Sequence, residues 1–196
     1  MVAADLLPEG RVRVRAYTEE MGLRSQNVTA IAQDSDGILF VGTGAGLFRF
    51  GGEKFTLIPL RKDVAAPMVL SLLPHPQGGM WVGTMNGLAW VRGQEVRWAT
   101  MAGTKNNLII GTMGLDETGR LWFPDHRGMF RQTGETHFEV DPATRSWARE
   151  GLWMAHSSGR RDIALLEGGR TLHRLRRDGG WESRGVDVPI PDRLEV

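Results

Sequence analysis

The richest set of chemically capable side chains in this chain is Asp125-His126-Arg127 taken with Asn106 and Asn107. A carboxylate, an imidazole, a guanidinium and two carboxamides offer donors and acceptors suited to sugar hydroxyls or to a carboxylate. Asn86 and Asn27 stand at related places in neighbouring segments and complete the candidate ligand-binding group. Surface turns are polar everywhere, so the same residues also fit a solvated loop. A catalytic role asks for more: glycoside cleavage needs a carboxylate pair at a set separation. Asp125 and His126 are adjacent, and adjacent strand residues point to opposite faces.

Other chemistries fail on residue type or spacing. The chain has no Cys, which removes thiolate catalysis, disulfides and Cys-zinc sites. Its five histidines, His75, His126, His137, His156 and His173, form no His-x-x-x-His or His-Glu-x-x-His pair, so no metal site is expected. Asp34-x-Asp36-Gly37 looks like the start of a calcium loop but lacks the third acidic position and the closing Glu, and it reads better as a hairpin turn. Gly42-Thr43-Gly44-Ala45-Gly46 precedes a strand rather than a helix, and no Lys-Ser/Thr follows, which argues against a phosphate loop. No Ser/His/Asp set is suggested by spacing, and no cofactor is expected.

Charge and hydropathy narrow the partners. With 24 basic and 23 acidic residues, the net charge of +1 gives no footprint for nucleic acid or an anionic membrane. Arg174, Arg176 and Arg177, interleaved with Leu172 and Leu175, read as a solvated strand face. No apolar run approaches the roughly 18 residues of a membrane helix, so direct insertion is not expected. No basic region followed by an apolar stretch opens the chain, so no signal peptide is read there, although Val2-Ala3-Ala4 has the small-residue look of a cleavage site.

The elements that must position the candidate residues follow a period of 41. Gly46, Gly87, Gly128 and Gly169 are evenly spaced (87 − 46 = 128 − 87 = 169 − 128 = 41), and Gly37, Gly78 and Gly119 keep the same interval. Phe40, Trp81 and Trp122 share one slot, with Ile163 in the fourth copy. Short alternating segments separated by Gly turns, at this period, predict an all-β chain of four-stranded antiparallel β-propeller blades. About four are expected, as part of a larger ring. The expected boundaries are a leader over 1–10, an outer strand of a preceding blade over 11–17, blades at 23–58, 68–99, 108–140 and 150–184, and a connector over 185–196. The last blade is degenerate, keeping Gly169 but losing the Trp and the Gly-Thr pair. The aromatic slot suits packing between neighbouring sheets, with a sugar-stacking platform as the alternative.

The segment Gly22-Leu23-Arg24-Ser25-Gln26-Asn27-Val28, then Asp36-Gly37, Phe40-Val41-Gly42-Thr43 and Gly46-Leu47, resembles the two-component regulator propeller repeat. That family reads Gly-Leu-Pro, an Asn-Val start, an Asp-Gly turn, a Leu-Trp-Val/Ile-Gly-Thr strand and Gly-Leu. Arg24 replaces its Pro and Phe40 its Trp, and Pro124-Asp125 stands where Gly-Thr is expected in the third copy. The resemblance implies a seven-bladed propeller in the periplasmic sensing half of a bacterial receptor, of which this chain is an N-terminal segment. It also implies a kinase or cyclase output domain elsewhere, and an oligosaccharide or other small ligand.

Three functions are weighed. The first is a non-enzymatic sensor module whose ligand shifts the population of receptor arrangements. The second is a protein-interaction or structural scaffold completed by further blades or a second chain. The third is a propeller lyase or glycosidase.

Overall fold

The computed structural model describes residues 2–6, 12–61, 66–103, 108–150, 152–157 and 162–186. Strands β1 (Val2–Leu6) and β2 (Val12–Ala16) form an antiparallel hairpin that pairs Val2 with Ala16 and Leu6 with Val12. Part of the expected leader is therefore a strand, because a lone edge strand leaves a row of backbone groups unpaired and β1 supplies their partner. The hairpin sits roughly one repeat before the β5–β6 hairpin of the first blade.

The first blade is β3 (Val28–Gln33), β4 (Leu39–Thr43), β5 (Gly46–Phe50) and β6 (Phe55–Ile58), paired in order. The second repeats it with β7 (Val69–Pro74), β8 (Met80–Thr84), β9 (Gly87–Arg92) and β10 (Glu95–Trp98). The third sheet contains β11 (Thr100–Met101), β12 (Gly114–Leu115), β13 (Leu121–Asp125), β14 (Gly128–Gln132) and β15 (His137–Val140). The fourth contains β16 (Leu152–Ser157), β17 (Asp162–Glu167), β18 (Thr171–Leu175) and β19 (Trp181–Gly185). These are antiparallel propeller blades, with helix limited to short 3-10 turns among the described residues. No helix among them is long and apolar enough to cross a membrane.

The repeat makes the same turn three times. Between strands one and two, a side-chain acceptor holds the backbone N–H two residues on: Asp34 takes it from Asp36 at 3.0 Å, His75 Nδ1 from Gln77 at 3.0 Å, and Asp116 from Thr118 at 2.9 Å. A glycine at positive φ follows in each copy, Gly37 at 78°, Gly78 at 96° and Gly119 at 82°, a conformation that costs other residues energy. Asp34 and Asp36 thus shape a turn, and no cluster of metal-ligating groups occurs among the described residues.

Within each compact unit, the blades bury their faces against each other. One unit holds the first two blades and takes in the segment ending at Gly111; the other holds the third and fourth sheets. In the first, Phe40 and Leu47 share a core with Val69, Met80 and Val82 of the second blade. In the other, Trp122 and Met129 share a core with Ile163 and Leu165. Phe40, Trp81 and Trp122 are at most 2% exposed, so the repeated aromatic is packing material and not a platform open to sugars.

The third sheet departs from the pattern for a definable reason. In the first two blades the inner strand has six residues, and its ladder reaches Thr43 and Thr84 through a one-residue bulge just after passing the glycine slot, Gly42 and Gly83. Pro124 occupies that slot in the third repeat and has no N–H to give. The ladder accordingly stops at Gly114 opposite Trp122, leaving an inner strand of two residues. At the other edge, β11 adds in parallel beside β15, where Thr100 N–H donates to the Thr136 carbonyl at 2.8 Å and Ala102 N–H to that of Phe138 at 2.9 Å. This edge strand has no sequence pattern of its own.

Candidate functional site

Of the candidate residues, Asn27 lies in the connector entering strand one of its blade, and Asn86 and Asp125–Arg127 lie in turns between strands two and three. Both ends of that arrangement are visible in the first unit. Gly44 N–H donates to the Asn27 carbonyl at 3.2 Å, and Met85 N–H donates to the Met68 carbonyl at 3.1 Å, one period later. The turn itself is held by a threonine. Thr43 Oγ1 accepts from Ala45 N–H and donates to the Gly46 carbonyl, both at 3.0 Å. Thr84 makes the same two bonds with Asn86 N–H at 3.0 Å and the Gly87 carbonyl at 2.9 Å. Asn27 and Asn86 are exposed beside these turns, each on its own blade, and no hydrogen bond joins them.

Asp125 falls one period after Thr84 and takes over its work. Its Oδ1 accepts from Arg127 N–H at 3.0 Å, as the threonine hydroxyls accept from the residue two places on. The same oxygen receives Arg127 Nε at 2.9 Å and lies 3.0 Å from His126 Nδ1. The turn geometry thus brings together two residues that a straight strand would hold apart. The Asp125 side chain is only 8% exposed, whereas that of His126 is 77% exposed. Arg127 is held further by the Gly103 carbonyl at 3.4 Å and lies 5.0 Å above the Phe130 ring. A carboxylate committed to a backbone N–H and a guanidinium has little left for a ligand, so His126 is the accessible member of the group. Asn106 and Asn107 lie outside the described residues.

Asp125→Ala is expected to lower stability by about 1–2 kcal/mol, the cost of a lost buried acceptor. Asp125→Thr should recover the backbone bond but not the hold on Arg127, and so most of that loss. Urea unfolding of the three proteins checks this; equal stability of Ala and Thr variants would contradict the capping role.

Sequence spacing missed a polar chain in the fourth blade. His173 Nδ1 lies 2.7 Å from Ser183 Oγ, and its Nε2 lies 2.8 Å from Glu167 Oε2. The register explains the meeting: Leu165, His173 and Ser183 are cross-strand partners, which puts them on one face. A hydroxyl, an imidazole and a carboxylate in series are the parts of an activated nucleophile. Here the imidazole is 3% exposed and stacked on Trp147 at 3.7 Å and 12°, and none of the three residues lines the cleft between the Asp116–Gly119 and Arg176–Gly179 turns. The chain satisfies a buried histidine inside a packed face.

Residues 22–45 match the family model for the two component regulator propeller, which places one such repeat on the first blade. No curated protein matches the chain in sequence. Among solved structures, virginiamycin B lyase from Staphylococcus aureus superposes with a TM-score of 0.66 at 15% identity, over 96% of this chain and 64% of that one. The extracellular domain of a hybrid two component system from B. thetaiotaomicron gives 0.66 at 16% identity, over 87% of this chain and 26% of that one. That of a one component system from the same organism gives 0.65 at 17%, over 88% and 23%. The chain therefore spans less than two thirds of each, and at these identities the likeness is one of fold.

Proposed function

We propose that this chain is a segment of a non-enzymatic, ligand-sensing propeller in a bacterial two-component-type sensor, working on the periplasmic side and responsive to carbohydrate. The observation that carries the reading is the regulator propeller repeat on the first blade. The extracellular domains of the one component and hybrid two component systems that share the fold support it, and further blades or a second chain would complete the propeller. Ligand binding would favour one receptor arrangement over another by its difference in affinity for the two. The polar turn end is the surface offered, with His126 the accessible group of its turn and Asp125 and Arg127 behind it; Asn27 and Asn86 on their own blades, and Asn106 and Asn107, are the further candidates.

A panel of oligosaccharides in a thermal shift assay tests this. A true ligand at a hundredfold excess over Kd stabilises by about 2.7 kcal/mol, which for a chain of this size moves Tm by roughly 5–10 °C. His126→Ala should reduce the shift. Silence across the panel would count against carbohydrate sensing and favour the scaffold role. The lyase likeness supplies a second check, because a solved form of that lyase carries quinupristin. This chain is expected not to consume it, and turnover would overturn the non-enzymatic reading.

A further inference from the structure

The second unit contains a cleft of about 220 Å³ at the blade end formed by the turns between strands one and two and between strands three and four. Its walls come from the Asp116–Gly119 turn of the third sheet and the Arg176–Gly179 turn of the fourth, and Trp122, Ile163 and Leu175 form an apolar floor. Every carboxylate in the lining is already engaged. Asp116 accepts three bonds on Oδ1, from Thr118 N–H, Thr118 Oγ1 and Arg120 N–H, and one on Oδ2 from Trp122 Nε1 at 2.8 Å. Glu117 pairs with Arg177 at 2.6 Å, and Asp178 pairs with Arg176 at 3.2 Å.

Two further guanidinium groups line the cleft, those of Arg120 and Arg131, and neither forms an ion pair among the described residues. Arg131 shares the sheet face of Trp122, its cross-strand partner. Its Nε is buried and has no acceptor among the described residues. A buried guanidinium N–H without an acceptor is costly, and the group that satisfies it best is an anionic oxygen, which the planar fork can take in two parallel bonds.

We infer that this cleft is a binding site for a small oxyanion-bearing ligand, a carboxylate or a sulfate, held by Arg131 with Arg120 at the rim. The volume is below that of sites for drug-sized molecules, so it takes one anionic group and the atoms beside it. The apolar floor suits a carbon skeleton attached to that group. The site lies at the blade end away from the Asp125–Arg127 turn, and its existence does not depend on the sensor reading.

The test titrates the chain with sodium sulfate and with sodium acetate, each against sodium chloride at equal ionic strength, following tryptophan fluorescence and Tm. Saturable stabilisation by sulfate or acetate beyond that of chloride is the expected result. A response to acetate alone assigns a planar carboxylate, and one to sulfate alone a tetrahedral group. Arg131→Gln should raise the half-saturation concentration at least about tenfold, the scale of a lost charge-assisted bond. Arg131→Lys, which keeps the charge without the fork, should fall between. Arg120→Gln tests the rim in a protein whose buried packing is untouched. Equal effects of all three salts, or an unchanged half-saturation in both Gln variants, would overturn the inference.

Discussion

Trp122→Ala is expected to destabilise the second unit by about 3–5 kcal/mol, the usual range for deleting a buried tryptophan. The indole is 2% exposed and belongs to a core drawn from two blades, with Ile163 and Leu165 among its members. It meets the Trp181 ring edge-on at 5.7 Å and 88°. It also gives its N–H to Asp116, the residue that shapes the preceding turn. One substitution therefore opens a cavity, removes an aromatic contact and strips a donor from a carboxylate used in a turn. Trp122→Phe separates these effects: most of the volume stays, Asp116 Oδ2 loses its donor, and the expected cost is about 1–3 kcal/mol. With a urea m-value of about 2 kcal/mol/M, the Ala variant's midpoint falls by roughly 2 M. A change below about 0.5 kcal/mol, combined with loss of a sugar response, would instead restore the platform reading of this slot.

The same slot shows what the sequence reveals and where it stops. Phe40, Trp81 and Trp122 are legible as packing because this slot of the second strand is buried in each of the three copies, so the residue type repeats with the environment. Asp125 is ambiguous for the complementary reason. A polar residue breaking a Gly-Thr pattern reads as a functional departure, yet its carboxylate captures the same N–H as Thr43 and Thr84. Two different side chains serve one backbone need, and residue identity alone does not separate that from ligand binding. His173, Ser183 and Glu167 are illegible for another reason. Their meeting depends on the strand register of the fourth blade, where the Gly-Thr pair and the aromatic that mark register elsewhere are gone. The arginine cleft is likewise assembled from two turns in different repeats, and Arg176 and Arg177 in one of them read locally as part of a solvated strand face.

Gly83→Ala is the sharpest test of how closely a blade approaches the segment one period after its inner strand. At Gly42, an added Cβ would come within 2.5 Å of a Val69 methyl, a side chain of the following inner strand. At Gly83, one period on, it would run into the Ile110 carbonyl oxygen and Ser71 Oγ. Those two atoms are already bonded to each other at 2.8 Å, and Ile110 N–H is tied to the Thr84 carbonyl at 3.0 Å, so neither can move aside without losing a hydrogen bond. The φ at Gly83 is not among the positive ones, so the penalty is spatial rather than conformational. We expect a loss of about 3 kcal/mol or more for Gly83→Ala and about 1–2 kcal/mol for Gly42→Ala, where a side chain can yield. Gly111→Ala, with nothing within 4 Å of its added Cβ and no positive φ, should be neutral or slightly stabilising. Adding Ser71→Ala to Gly83→Ala removes one of the obstructing atoms. The double variant should therefore be more stable than the sum of the single losses predicts, a coupling that a double-mutant cycle reads directly. Additive losses would mean that Ile110 alone sets the distance between Gly83 and the segment around Ile110.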